Sequence, residues 1–262
     1  MHNHPQVDPP STLSTVWVII SLELSRVFSS RQGLIYLAVF TFFWYLVANY
    51  GVVPFAVARA EQGSTWLAAV FKNYESIAVY GFAFLCLFVG ANQTGSDRER
   101  GTLRFMSLRC SRDEIFFGRF LSQVLVQYFL IIISLVMLIL VVIFQQGLDA
   151  MLVPSALLAA GNIAIILLPF IALMALVSVW VSQSRQATFY AGLLWSLSSI
   201  VVGLINDYLP VLSPLNILVP GMQFSKLGEL DGMAKFTLAY IPLLQCALLL
   251  VAGRFAMARK AL

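Results

Sequence analysis

Residues 120–148 read FLSQVLVQYFLIIISLVMLILVVIFQQGL, a run of 29 residues without one charged side chain. A membrane hydrocarbon core about 30 Å thick needs about 20 apolar residues in a helix to cross it. Because lipid offers the backbone no water to bond, such a run must pair its N–H and C=O groups within a helix. The stretch therefore predicts a membrane-spanning helix.

The same pattern recurs along the chain. Uncharged windows of 27, 21, 29, 35, 21 and 18 residues separate short clusters of charge. Only 11% of the residues are charged and 60% are hydrophobic, with a mean hydropathy of +0.87. An average soluble domain carries about a quarter charged residues, so the composition strongly disfavours a water-soluble globule. We expect an all-α polytopic membrane protein with six transmembrane helices, at about 33–53, 76–95, 118–145, 154–182, 187–207 and 235–256.

The segment before the first span mixes apolar and polar residues. Ser14 to Arg31 reads STVWVIISLELSRVFSSR, which fits an N-terminal interfacial helix on the cytoplasmic leaflet. The start of the first span is the alternative. Residues 1–13 form a polar tail without the pattern of a cleavable signal peptide. We therefore expect one six-helix transmembrane domain over residues 14–262.

Proline marks two irregular places. Pro169 falls inside the fourth span and predicts a bend or local unwinding there. Pro210, Pro214 and Pro220 interrupt an apolar stretch before the last span, which three prolines prevent from crossing as one straight helix. We expect this outer segment to re-enter the membrane as broken helices; an amphiphilic loop is the alternative.

Cations decide the orientation, because Lys and Arg near helix ends are retained on the cytoplasmic side. With six spans, 12 of the 16 cations fall on the side that also holds both termini. We therefore expect cytoplasmic termini in the cell inner (plasma) membrane. The opposite side holds Arg59, Lys72, Lys226 and Lys235.

The sequence lacks the residues that several classes of reaction require. None of the four lysines follows a glycine, so the chain has no G-x-x-x-x-G-K-[ST] loop for a nucleotide phosphate. The only histidines, His2 and His4, lie in the polar tail and leave no candidate for a Ser/His or zinc protease. Glu75 and Asp207 lie at window edges, which disfavours proton transport through paired buried acids.

The cysteines complete this set of expected absences. Cys86, Cys110 and Cys246 have no regular spacing, and we expect free thiols rather than disulfides or a metal site. The chain is accordingly expected not to be an enzyme, with no catalytic, metal or cofactor-binding residue of its own.

One dense polar cluster lies between the second and third spans. Residues 97–119 carry ten charges within 23 residues, with Leu103, Phe105, Met106 and Leu108 among them. A solvated basic loop that sets topology and touches anionic lipid would explain the charges. A short helix that docks a cytoplasmic partner would also explain the apolar residues.

The letters of this cluster carry a family resemblance. D-R-E-R-G-T-L at 97–103, S-L-R-C-S-R at 107–112 and F-F-G-R-F at 116–120 resemble the loop of the ATP-binding-cassette type-2 permeases. That loop contains E-x-G-T-L, S-x-P-x-S-R and G-K in the same order. Arg109 and Arg119 depart from its usual proline and lysine. The resemblance extends to the acidic-basic element E-L-S-R at 23–26 and to L-S-P-L-N at 212–216.

The resemblance implies the transmembrane subunit of an ABC exporter. Two such permease subunits pair as a homo- or heterodimer in membrane lipid, and each engages a separate cytoplasmic ATPase that holds ATP and Mg. No nucleic-acid partner is expected. The loop at 97–112 would act as the coupling helix. Its expected contacts with the ATPase are Glu99, Arg100, Gly101, Thr102, Leu103, Arg104 and Met106.

Cargo is expected to be amphipathic by the same analogy: a lipid, a drug or a natural product. Candidate substrate-path residues are the polar ones inside the windows: Gln123, Gln127, Asn162, Ser196 and Ser199. Hydrogen bonds between helices explain them at least as well. The competing hypotheses are a nontransporting scaffold or assembly factor that docks a partner through the same loop, and import rather than export.

Overall fold

The computed structural model describes residues 12–60, 65–90, 110–181, 183–208, 218–221, 223–224, 230 and 232–259. Within these ranges the protein is helical and contains no strand. The α-helices are α1 Thr12–Phe28, α2 Arg31–Leu46, α3 Val53–Ala60, α4 Trp66–Val89, α5 Arg112–Gln146, α6 Leu152–Trp180, α7 Ser184–Tyr208 and α8 Tyr240–Arg259. A π-helical turn, Val47–Val52, joins α2 to α3, and a 3₁₀ helix, Gly232–Leu238, precedes α8.

Five helical stretches in the described part of the chain are long and apolar enough to cross a membrane. They are Arg31–Ala58, Arg112–Gln146, Leu152–Trp180, Arg185–Leu204 and Gly232–Arg259. The second predicted span, 76–95, is the one without such a stretch among the described residues; it corresponds in position to α4, which begins ten residues earlier. Its first half carries Lys72, Asn73 and Glu75, and α4 is not one of the five stretches named above.

The turn between α1 and α2 separates the N-terminal helix from the first long one. Ser30 caps α2 by accepting a hydrogen bond from the Gly33 N–H at 2.9 Å. A Cβ on Gly33 would lie 1.7 Å from the Val27 carbonyl oxygen, so only glycine allows this approach. α1 is therefore a helix with its own end, and it packs on α5 through buried Ile19 against Gly118.

The first long helix extends further than the sequence predicted. The window suggested 33–53, whereas helical structure continues from Arg31 through the π-helical turn to Ala60. Pro54 lacks an N–H and would clash with the carbonyl four residues earlier in a regular α-helix. The wider π-helical turn directly before Pro54 changes the spacing to that carbonyl, which avoids the clash and allows the chain to continue as α3.

α6 lies at the centre of the bundle and contacts α4, α5, α7 and α8. In its most apolar stretch 72% of the residues are buried, against 17% for both Arg31–Ala58 and Arg185–Leu204. The helix is unbroken from Leu152 to Trp180 although it contains Pro169. The local unwinding, one of the two expectations at Pro169, is therefore wrong, and the bend stays a prediction.

Candidate functional site

The residues expected to contact an ATPase lie outside the described part of the chain. This holds for Glu99, Arg100, Gly101, Thr102, Leu103, Arg104 and Met106. The structure does describe the point where their loop enters α5. Ser111 accepts a hydrogen bond from the Glu114 N–H at 3.2 Å, and Glu114 accepts one from the Ser111 N–H at 2.7 Å. This capping box fixes the start of α5 at Arg112.

The first turns of α5 are fastened to the end of α8. The Arg112 Nη1 donates hydrogen bonds to the carbonyls of Met257 at 3.4 Å and Ala258 at 3.1 Å. A cation at the last carbonyls of a helix also complements its dipole. One helical turn away, Asp113 and Arg254 form an ion pair at 2.8 Å. We call this set of contacts the inner joint.

A ring packed on a glycine completes the inner joint. Phe116 of α5 is buried, and a Cβ added to Gly253 of α8 would lie 2.5 Å from its Cζ. Real Cβ atoms essentially never approach another atom so closely, so a side chain at residue 253 would force the buried Phe116 ring or one of the helices to shift.

Two of the predicted substrate-path residues, Gln123 and Gln127, are buried in the bundle. They lie four residues apart, on the same side of α5 as Phe116 and Ser134. Phe116 contacts α8 there, and Ser134 bonds the Tyr74 hydroxyl of α4 at 2.6 Å. The glutamines therefore face the interior between α4 and α8.

Three of the four side-chain amide atoms of these glutamines form no hydrogen bond within the described residues. Gln123 Oε1 and both side-chain amide atoms of Gln127 have no hydrogen-bond partner there. Interhelical hydrogen bonds, the alternative explanation for these residues, are absent for those three atoms in the described chain. We call Gln123 and Gln127 the amide stripe.

The remaining three predicted path residues lie elsewhere. Ser196 is exposed on α7, and half-buried Ser199 donates to the Trp195 carbonyl of its own helix at 2.9 Å. Asn162 is buried on α6 and donates to Glu75 Oε2 at 3.2 Å. No hydrogen bond joins any two of the five path residues in the described structure, so they do not form one site.

Asn162 belongs to a polar cluster that sequence reasoning missed. Glu75 of α4 forms an ion pair with Lys235 of the 3₁₀ helix, and the two side chains are only 13% and 8% exposed. Because α4 begins at Trp66, Glu75 lies in its third turn, and its side chain is largely buried between the helices. Opposite charges at the edges of two windows on the same predicted side were the available signal. Glu75, Asn162 and Lys235 are the outer cluster.

The outer segment reaches the same region. Trp195 Nε1 of α7 donates to the Pro220 carbonyl at 2.8 Å, and Gln245 Nε2 of α8 donates to the Val219 carbonyl at 3.1 Å. Gln223 is buried, and both of its side-chain amide atoms lack a partner in the described chain. It lines a small cavity, about 10 Å³ in volume, together with Asn162 and Lys235.

Phe224 of the outer segment contacts aromatic rings near the middle of their helices. Its ring stacks on Phe170 of α6 at 5.9 Å between centroids and meets Tyr80 of α4 edge-on at 5.2 Å. Phe170 also contacts Trp195 of α7 at 5.4 Å. Tyr80, Phe170 and Trp195 each lie at least nine residues from either end of their helix. At about 1.5 Å per residue that is about 13 Å along the helix.

Chemically, the described polar residues form ion pairs and hydrogen bonds. Within them, no group of three or more His, Cys, Asp or Glu side chains could hold a metal ion. Cys86 and Cys246 are buried free thiols, and Cys110, just before α5, is a half-buried one.

Comparison with protein families gives the chain its place. The profile described as ABC-2 family transporter protein matches residues 17–259. The chain belongs to this family. It is therefore a multi-pass membrane protein and a permease of the ABC transporter type, and the ABC-2 family implies a partnership with an ABC ATPase subunit. No curated protein matches the chain.

Proposed function

We propose that this ABC-2 permease exports an amphipathic substrate, driven by a separate cytoplasmic ATPase that docks on the loop around Glu99 to Met106. The observation that carries the proposal is the family match over residues 17–259, nearly the whole chain. The sequence supports the division of labour, because no lysine follows a glycine and a phosphate-binding loop is therefore missing from these 262 residues. ATP and Mg would bind to the partner.

The proposed topology has six spans, because α4 is added to the five long apolar stretches. Both termini are cytoplasmic in the inner membrane. Polar residues in the first half of α4 argue against a span only while they are unpaired. Glu75 is paired with Lys235 and bonded by Asn162, so its charge is compensated inside the bundle. The cation distribution of 12 against four supports the orientation. α1 would lie at the cytoplasmic interface, with Trp17 and Leu22 exposed toward lipid.

The outer segment would be re-entrant and close the path from outside. Phe224 contacts rings that lie about 13 Å from the helix ends, a depth that a loop confined to the surface does not reach. Backbone at such depth needs protein partners. The Trp195 and Gln245 side chains supply two, at the carbonyls of Pro220 and Val219.

A second permease subunit and lipid would cover the least buried helices. α2, α3 and α7 leave large apolar side chains exposed, among them Phe42, Phe55, Phe189 and Ile200. An exposed apolar surface of this extent fits hydrocarbon or a second helix bundle. The cargo path would then lie between the two subunits.

The experiment is a double variant in the loop, Glu99→Ala with Gly101→Val. Glu99→Ala would remove a charge-assisted contact typically worth about 1.5 to 3 kcal/mol. Gly101→Val would prevent a tight turn or close backbone approach. We expect the variant to insert normally but to lose ATP-dependent movement of a fluorescent phospholipid in inverted membrane vesicles. Retention of the ATPase during purification should fall in parallel.

Glu61→Ala with Gly63→Val is the matched control, since it makes the same two changes at the same spacing on the predicted outer side. It should leave both readouts unchanged. Full transport by the Glu99/Gly101 variant, with the ATPase still bound, would contradict the coupling role and leave a solvated loop that only sets topology.

A further inference from the structure

The last helix connects the inner joint to the outer cluster. At its C-terminal end, α8 is bonded to Arg112 and paired with Asp113, which follow the residues expected to contact the ATPase. At its other end the 3₁₀ helix carries Lys235, which is paired with Glu75. Gln245, in the second turn of α8, bonds the outer segment at Val219. One element thus contacts the proposed coupling loop's exit and the outer structures.

The 3₁₀ helix and α8 form a continuous helical connection. The Ala239 N–H donates to the Phe236 carbonyl at 3.0 Å, and the Leu243 N–H donates to the Ala239 carbonyl at 3.2 Å. Backbone hydrogen bonds therefore bridge the junction between the two helices. The stretch Gly232–Arg259 contains 28 residues, of which the 20 of α8 alone span about 30 Å. That is about the thickness of the hydrocarbon core.

The inner joint is suited to transmit displacement because α5 and α8 are closely packed there. The Phe116 ring lies 2.5 Å from the position that a Cβ of residue 253 would take, and Phe116 is 3% exposed. Packed interiors transmit strain rather than absorb it. Arg112 adds two hydrogen bonds to the carbonyls at the end of α8, which connect the first turn of α5 to the last turn of α8.

We infer that α8 carries movement of the coupling loop to the outer cluster, with Arg112, Phe116 and Gly253 as positioning residues that keep the two helices engaged. The inference rests on the proposed function, since it needs an ATPase to move the loop. When the first turn of α5 moves, α8 displaces Lys235 relative to Glu75 and Asn162, which belong to α4 and α6. The same displacement pulls on Val219 through Gln245 and exposes the region around Gln223.

The test measures whether ATP at the partner changes accessibility at the outer cluster. Gln223→Cys is introduced into the full chain after Cys86, Cys110 and Cys246 have been replaced by alanine, and the chain is purified with its ATPase and reconstituted. A membrane-impermeant maleimide then labels residue 223 without nucleotide, with ATP, and with ATP plus vanadate. We expect the labelling rate to depend on nucleotide when residue 253 is glycine.

Gly253→Val should abolish that dependence, because its side chain forces Phe116 and α8 apart. Gly192→Val on α7 is the matched control, since a Cβ there meets nothing within 4 Å. Arg112→Ala, which adds no bulk, should weaken the dependence, and Arg112→Lys should retain part of it. Gly253→Ala should also lose the dependence. Adding Phe116→Leu to it should restore the dependence, because leucine lacks the Cζ atom that blocks a side chain at residue 253. The ATPase should stay bound and hydrolyse ATP in all these variants.

The outcomes separate the inference from the proposed function. Nucleotide-dependent labelling that is the same in Gly253→Val, Arg112→Ala and Gly192→Val would overturn the role of the inner joint. A bound, active ATPase without any effect of nucleotide on residue 223 would overturn the inference while the proposed function stands. If no ATPase accompanies even the chain with Gly253, both fall together.

Discussion

The outer cluster and the amide stripe are both buried polar sets, yet they differ in how their atoms are satisfied. Lys235 and Asn162 both bond the Glu75 carboxylate, which joins three elements. Gln123 Oε1 and the Gln127 amide have no partner within the described chain. A buried polar group without a hydrogen bond costs stability, whereas a paired charge is compensated. The outer cluster thus joins three elements through paired groups, whereas three buried amide atoms of the amide stripe are unpaired in the described chain.

Removing one member of the outer ion pair should have the largest effect. Lys235→Met leaves the Glu75 carboxylate buried without its cation, and we expect the free energy of unfolding to fall by about 3 to 5 kcal/mol. Unfolding in mixed detergent and SDS micelles measures it. Glu75→Leu combined with Lys235→Met should recover most of the loss, because the buried charges are then both absent.

Arg254→Met is the matched control for this prediction. It breaks the ion pair with Asp113, whose two side chains are 60% and 46% exposed. Exposed pairs contribute less than about 1 kcal/mol, so the variant should remain close to the unchanged protein in stability. Equal losses in Lys235→Met and Arg254→Met would contradict the structural role of the outer cluster.

The amide stripe should respond in the opposite direction. Gln127→Leu replaces an amide that lacks partners in the described structure, and we expect the free energy of unfolding to rise by about 1 to 3 kcal/mol. Transport should fall if the amide contacts cargo. Gln186→Leu on the exposed face of α7 is the control and should not stabilise the protein. A destabilised Gln127→Leu protein would show that the amide is already satisfied in the folded state.

Loss of a single satisfied hydrogen bond should change the free energy of unfolding by less than either of the two preceding variants. Tyr74 bonds Ser134, whose own hydroxyl donates to the Ile131 carbonyl, so the phenol is the donor between them. Tyr74→Phe should therefore lower the free energy of unfolding by about 1 kcal/mol. Tyr80→Phe on the same helix, where the ring is 58% exposed, should change it by less than about 0.5 kcal/mol. Indistinguishable stabilities of the two variants would remove Tyr74–Ser134 from the interactions that hold α4 on α5.

Helix positions could be predicted from the sequence because charge spacing reflects membrane thickness. The expected span 118–145 and the observed α5, Arg112–Gln146, differ mainly at the start. There the capping box of Ser111 and Glu114, rather than hydropathy, sets the first residue. Likewise, hydropathy could not show that a π-helical turn before Pro54 extends the first long helix to Ala60.

The sites were harder to predict because they depend on long-range contacts. Glu75 and Lys235 are 160 residues apart, and their pairing follows from the way α4 and the 3₁₀ helix pack on α6. Gln123 and Gln127 were correctly placed on one face of a helix by their spacing. Which neighbours that face meets, and that Ser196 points away from the bundle, required the packed structure.

The central claim is that an ATPase encoded elsewhere works through this chain. Purification of the tagged chain from its native membranes in mild detergent, followed by mass spectrometry and an ATP-hydrolysis assay, tests it most directly. The account predicts an ABC ATPase that accompanies the chain in stoichiometric amount, hydrolyses ATP, and is lost from the Glu99→Ala, Gly101→Val variant. An intact chain that purifies without any ATP-hydrolysing protein would contradict it.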